Sequence, residues 1–378
     1  MTGPGHSRPV SVIKNNYFNY IMSIEKGPEF RIVGGASPEK KEEAKKELQE
    51  ALFNHFESLS PKEQKELKKF EYKKSDKEKS LIDFANQETN ELRQEAGMEP
   101  YNVPYENYHL LPSKKYDKLK PGGSDAMTSY TRQGILLNKE NLSSDPLKLG
   151  SAFVHETLHL KGHYAEKAEE HDKDVGTTPF REGVSAYGAR RDKPHEHFYG
   201  LHEAIVANQE KKSFQKLLDL PFFQKEKEWL MSDEAKKIRK EMADKMKISE
   251  DEFRWIDKKR GWGTFPFRAP REVLDFVCAE IQKEYPQQYQ DKDEVFREFL
   301  KSHCTGQLLR IGRLVEKTFG EGSFRALGNM TANKESAILH MELLKKARAR
   351  KEKIVSTLVF SPDRGASAGR PRNPKISL

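Results

Sequence analysis

One third of this 378-residue chain is charged. Yet from Ala152 to Leu160 it carries a single carboxylate and no lysine, arginine, proline or glycine. The run reads Ala-Phe-Val-His-Glu-Thr-Leu-His-Leu. A stretch this apolar in so polar a chain predicts a helix buried on most of its circumference. His155 and His159 stand four residues apart, which on a helix places them on one face. Two ring nitrogens at that spacing can approach one zinc ion to about 2.0–2.1 Å. Glu156 points along the same wall but away from the ion, within reach of the water that such an ion activates. The expected roles are metal ligation by His155 and His159, and general-base catalysis by Glu156.

Seven of the twelve histidines fall between positions 155 and 202, where proportional scatter gives about 1.5. A catalytic zinc site needs a third protein ligand and an open position. His163 continues the four-residue row but lies about 12 Å along the helix from His155. The metzincin pattern needs a histidine at position 165, where the chain has Ala165. The remaining candidates are Glu203, in Leu201-His202-Glu203-Ala204-Ile205, and Glu182, in Arg181-Glu182-Gly183-Val184. Residues 181–186 alternate as a strand does, and 198–206 have the apolar frame of a helix start. On the residues alone both glutamates stay open.

His155-Glu156-Thr157-Leu158-His159 followed by Leu201-His202-Glu203-Ala204-Ile205 resembles the gluzincin arrangement of thermolysin-type peptidases. The chain is also similar, over roughly residues 81–330, to a group of uncharacterised predicted zinc peptidases. These have a short strand before the motif helix and a Leu-Asn-Glu-Ala helix after it. Gly320-Glu321-Gly322-Ser323-Phe324 fits the same group. The resemblance implies a Zn2+-dependent hydrolase acting on a peptide or protein substrate, with Glu203 as third ligand. Glu182 resembles the third ligand of aminopeptidase-type gluzincins. This chain departs from the pattern at His202, where the family has Asn, and at Lys161, where it has an apolar residue. Ala207 stands where a carboxylate orients a ligand histidine. Tyr199, His197 and His202 are the candidate oxyanion or orienting groups, with Tyr187 and His195 also in range.

Around this centre the sequence predicts an α+β, helix-dominated protein with a small sheet. Ser37-Pro38 and Ser60-Pro61 open two helices, and a third covers about 77–96. Gly134–Asn138 reads as a strand and is the expected edge for an extended peptide. Residues 180–191 read as a strand pair or extended arm, and the chain beyond Pro221 as mostly helical. The Gly306–Gly312 stretch lacks a Gly-Lys-Ser/Thr ending, so it reads as helix packing and not as a phosphate loop. Composition suggests an N-terminal segment with charged helices over 1–97, a zincin-like core over 98–225, a helical subdomain over 226–360 and a basic disordered tail over 361–378.

The net charge of +8 is carried by the C-terminus. Residues 341–378 hold ten lysines and arginines against three acids. Nucleic acid is expected to touch at most this tail. Two cysteines exclude a disulfide scaffold and a cysteine-based zinc cluster. No run approaches the length of a membrane span, and no apolar leader is evident, so the expectation is a cytoplasmic protein. Two rival readings remain: a zincin-like protein that binds metal or partner without turnover, and a nucleic-acid-associated helical protein.

Overall fold

The computed structural model describes residues 28–359 apart from 120–123, 146, 172–173, 191–192 and 258–260. The Tyr17–Met22 run and the basic tail from 361 lie outside the described residues.

Helix starts follow their caps. After a short strand β1 (Arg31–Val33), Ser37 accepts the Lys40 N–H and opens α1 (Pro38–Phe53). Ser60 with Glu63, and Ser75 with Glu78, form reciprocal capping boxes at α2 (Pro61–Phe70) and α3 (Asp76–Glu95). Leu48 and Leu52 of α1 and Leu81, Ile82 and Ala85 of α3 enter one core. α2 buries no residue.

The chain then builds a three-stranded sheet from β2 (Tyr108–Leu111), β3 (Ala126–Ser129) and β4 (Gly134–Asn138). Its order is β2-β4-β3, with β2 parallel and β3 antiparallel to β4. The expected strand at 134–138 is therefore present, but it is central and offers no edge. Both sides of its backbone are already paired, and the edges of the sheet belong to β2 and β3. Next comes the motif helix α4 (Lys148–Leu160). Asp145 Oδ1 receives the N–H groups of Leu147 and Lys148 at its start, at 2.8 and 3.2 Å.

Four strands follow: β5 (Tyr164–His171), β6 (Asp174–Glu182), β7 (Ser185–Arg190) and β8 (Lys193–His197). Each is antiparallel to the next, and β1 lies parallel to β5 on the outer side. The arm expected over 180–191 is real but longer. Tyr164-Ala-Glu-Lys-Ala-Glu-Glu is rich in helix formers and lacks β-branched residues, so only its pairing with β1 and β6 makes it a strand. Helix α5 (Tyr199–Leu218) returns beneath the arm. Gly200 makes its start possible: a Cβ there would sit 2.5 Å from the Thr331 carbonyl oxygen. The Gly200 N–H donates to Met330 O at 2.9 Å.

The remainder comprises α6 (Asp233–Met246), a hairpin of β9 (Phe253–Asp257) and β10 (Gly261–Thr264), then α7 (Arg268–Glu284), α8 (Lys292–Thr305), α9 (Leu308–Phe319) and α10 (Lys334–Val359). The hairpin interrupts the helical texture expected after Pro221. The Gly306–Gly312 stretch enters α9, with Gly312 against the Phe324 ring, as helix packing requires. The whole is an α+β, helix-dominated fold.

Two apolar cores meet along α4 and α5. Phe153 and Val154 of α4 and Phe214 and Leu217 of α5 join the core under the three-stranded sheet. Leu158 of α4 and Leu201, Ala204 and Ile205 of α5 join the core built with α7, α8 and α9. Each core draws on more than one of the chain ranges suggested by composition. The two helices are thus clamped from both sides, and a cleft opens where their polar faces meet. No described helix is long and apolar enough to cross a membrane.

Candidate metal centre

α4 and α5 together gather His155, His159 and Glu203, all buried, with one ligand atom from each within 4.8 Å of the others. His155 Nε2 and His159 Nε2 are 3.1 Å apart. Glu203 Oε2 lies 3.6 Å from the first and 3.4 Å from the second. Ligands at about 2.0–2.1 Å from a tetrahedral ion are separated by about 3.4 Å, so the triangle has the size of one tetrahedral face.

The chemistry of the donors fits a cation as well as the distances do. His155 Nδ1 donates to Glu210 Oε2 at 3.0 Å. A neutral His155 therefore turns a bare lone pair on Nε2 toward His159 and Glu203. Glu203 Oε2 is buried and receives no hydrogen bond. Burial disfavours charge on Glu203 but is outweighed by His159 and His155, which hold its pKa well below the ordinary carboxylate value. Burial likewise opposes charge on His155 and is outweighed by Glu203 and Glu210, which raise its pKa well above the usual value. The pocket favours positive charge at this point, and a metal ion could satisfy it in place of a proton.

Both histidines are held from behind. His159 Nδ1 lies 2.7 Å from His202 Nε2 and 3.3 Å from the Tyr130 hydroxyl, which is itself 3.4 Å from His202 Nε2. The His155 ring is stacked by Phe267, with centroids 6.0 Å apart. Glu210, the carboxylate that was missing at Ala207, sits on α5 seven residues after Glu203, two turns along the same face. Its other oxygen lies 3.9 Å from Arg254 Nη1, and Arg254 Nη2 reaches Asp145 Oδ2 at 3.2 Å. The β9–β10 hairpin thus supports His155 through Arg254 and Glu210. Thr128, Tyr130 and Phe267 come from distant elements, and no spacing in the sequence marks them.

Glu156 stays off the triangle. It is buried, lines the cleft, and accepts from Thr128 Oγ1 at 2.8 Å. The cleft has a volume of about 800 Å³ and is walled by β3, α4, the end of the strand arm, the start of α5 and the loop before α7. Tyr199 stands at its mouth, 36% exposed. Burial, then Glu203 and Glu196, raise its pKa above the ordinary phenol value, so its hydroxyl keeps a proton to donate.

The other expected residues separate as follows. Glu182 lines the cleft but is bound by the Tyr187 hydroxyl at 2.6 Å and does not join the metal-binding group. His197 pairs with Ala186 in the arm and is not among the cleft-lining residues. The side chain of His195 lies outside the described residues. His163 sits under Gly306 and gives its N–H to His303 O, clear of the ligands. Lys161 points the other way from the cleft, into α3, donating to Asn86 O at 3.1 Å and Asn90 Oδ1 at 2.8 Å. It ties down the end of the motif helix. Comparison with protein-family models, curated proteins and solved structures found no match to this chain.

Proposed function

We propose that the protein is a zinc-dependent hydrolase of peptide or amide bonds. The observation that carries this reading is the convergence of His155, His159 and Glu203 on one point beside an acid, Glu156, that is not itself a ligand. Zinc held there supplies Lewis acidity, which polarises a carbonyl and makes water acidic enough to attack near neutral pH.

The chain's own residues do the rest. Glu156, fixed by Thr128, takes a proton from the attacking water and returns it to the leaving amine. Tyr199 donates to the oxyanion from the opposite wall. Glu210 and His202 hold the two ligand histidines in their orientation. The free edge of β3, which carries Thr128, accepts an extended peptide by strand addition and lays its backbone across Glu156.

Purified protein loaded with zinc should hold one equivalent by elemental analysis and cleave peptides in a mixed library. Less than about a tenth of an equivalent after loading would remove the metal centre. One equivalent with no cleavage across the library would leave a zincin-like binding protein.

A further inference from the structure

We propose that the cleft receives a cationic group of its substrate, a lysine or arginine side chain or a free α-ammonium group, against a wall formed by Glu182, Tyr187 and Glu196. The inference rests on the hydrolase reading for its cleavage arm, and on geometry for its binding arm.

The wall is a product of strand register. Glu182 pairs with Ser185 across β6 and β7, and Tyr187 pairs with Glu196 across β7 and β8. Side chains opposite each other, or two apart, share a sheet face. Glu182, Tyr187 and Glu196 all line the cleft. Two carboxylates therefore face the same space as the metal ligands.

Their hydrogen bonds are too few. The Tyr187 hydroxyl gives its one proton to Glu182 Oε2 at 2.6 Å. The Ser185 hydroxyl gives its one proton to Glu196 Oε1 at 2.6 Å, with His197 O also 3.1 Å from Ser185 Oγ. Among the described residues, the four carboxylate oxygens thus meet two side-chain donors. Among the described residues, the neighbours acting on the two carboxylates are each other, Tyr187, Ser185, Glu203 and His159, with no lysine or arginine. Burial pushes Glu182 up to about 7 and raises Glu196 as well, with Glu203 adding to both. An arm that needed only stability would carry neutral residues here.

A second observation points to a ligand in the same cleft. Glu203 Oε2 is buried without a hydrogen-bond donor and the residue is 7% exposed. A metal ion answers that carboxylate, whereas Glu182 and Glu196 keep one hydroxyl donor each and no cation among the described residues. The two cations that line the cleft are already engaged: Lys148 with Asp125 at 2.6 Å, and Arg254 with Asp145 and Glu210. An ammonium brings three donors and a guanidinium five, which matches the surplus of acceptors. The result is an acidic cleft in a chain of net charge +8, which selects basic peptides and repels polyanions.

The test uses the full chain, zinc-loaded and carrying Glu156→Gln so that bound peptide persists. Fluorescein-labelled peptides that differ only in lysine against norleucine are titrated by anisotropy. A second pair differs only in a free against an acetylated N-terminus. The charged member of at least one pair should bind about 10-fold or more tightly, and the responding pair identifies the source of the cation. Glu182→Gln and Glu196→Gln, together or singly, should erase the ratio while zinc content and melting temperature stay near wild type. Equal binding within both pairs, no binding of any peptide, or a ratio indifferent to both substitutions would overturn the subsite. Mass spectrometry of the same peptides with wild-type protein reads the other reading separately. A charge preference without cleavage removes the hydrolase and keeps the subsite, whereas cleavage without preference does the reverse.

Discussion

Glu210 Oε2 accepts the Nδ1 proton of His155 at 3.0 Å from a position seven residues beyond Glu203 on the same helix. One helix face thus supplies both a metal ligand and the carboxylate that orients another ligand. The spacing of two turns fixes which nitrogen of His155 faces His159 and Glu203. Glu210→Ala should therefore cost about 10–100-fold in zinc affinity, as loss of such an outer partner does elsewhere. Competition with a chromophoric chelator measures it. Unchanged affinity would mean that the His155 ring is held by packing on Phe267 alone.

The two glutamates once open as third ligand now have different partners. Glu203→Gln removes the anionic ligand while keeping its shape, and zinc affinity should fall by roughly 10-fold or more. Glu182→Gln touches a carboxylate bonded to Tyr187 and should leave the metal content of the protein near wild type. Reversal of these two outcomes by elemental analysis would reassign the ligand.

Gly183 turns the chain between β6 and β7 with φ +55, and a Cβ there would lie 2.4 Å from His303 Nδ1 and 2.8 Å from the His202 ring. Left-handed backbone costs an ordinary residue about 1–2 kcal/mol, and neither buried ring can retreat. Gly183→Ala should lower the melting temperature by several degrees. It should also weaken zinc binding, because His202 is the ring behind His159. Calorimetry with and without zinc separates the two effects.

How much of this was legible depends on distance along the chain. The motif on α4 is a periodic signal within a single helix, so His155, Glu156 and His159 stand out directly, whereas Glu203 is separated from Glu182 only with the help of the resemblance. Glu210 lies on the same helix about one turn beyond Ala207, the position at which the resemblance places the orienting carboxylate. Thr128 and Arg254 could not be read. Each reaches the centre only through sheet order or a hairpin, and nothing near them in sequence records that contact. The edge strand was misassigned for the same reason: an apolar run such as Gly134–Asn138 signals a strand but not its neighbours. β5 was missed because its alanines, lysines and glutamates favour a helix in isolation, and pairing overrode them.

Acid should destabilise the metal-free protein over a defined window. His55 is buried, and its ring lies 2.7 Å from that of His109. Burial, then His109, push its pKa from 6.5 down to about 4. Between those values the unfolded chain binds a proton that the folded chain refuses. Stability is therefore full above about pH 6.5 and falls as pH drops toward 4, by an amount on the order of 2–3 kcal/mol from this group. Urea midpoints from pH 7.5 to 4.5 should decline, and the slope should flatten in His55→Gln. An equal slope in both proteins would remove His55 as a source.

The last prediction separates base from ligand. Glu156 is buried beside the triangle, accepts from Thr128 and belongs to no ligand pair. Glu156→Gln keeps the side chain's volume and can still accept from Thr128, so zinc content should stay near one equivalent. It cannot take up a proton, so peptide hydrolysis should fall by at least about 10²-fold. Thr128→Val, which leaves the carboxylate in place but unanchored, should keep zinc as well and lose a smaller factor, about 10-fold, in kcat with KM little changed. The ordering of the two variants is the readout. If Thr128→Val matches Glu156→Gln in activity, then the hydroxyl is itself part of the reacting group. If Glu156→Gln loses zinc, then the acid is a ligand and the general base must be sought among Glu182 and Glu196 on the opposite wall.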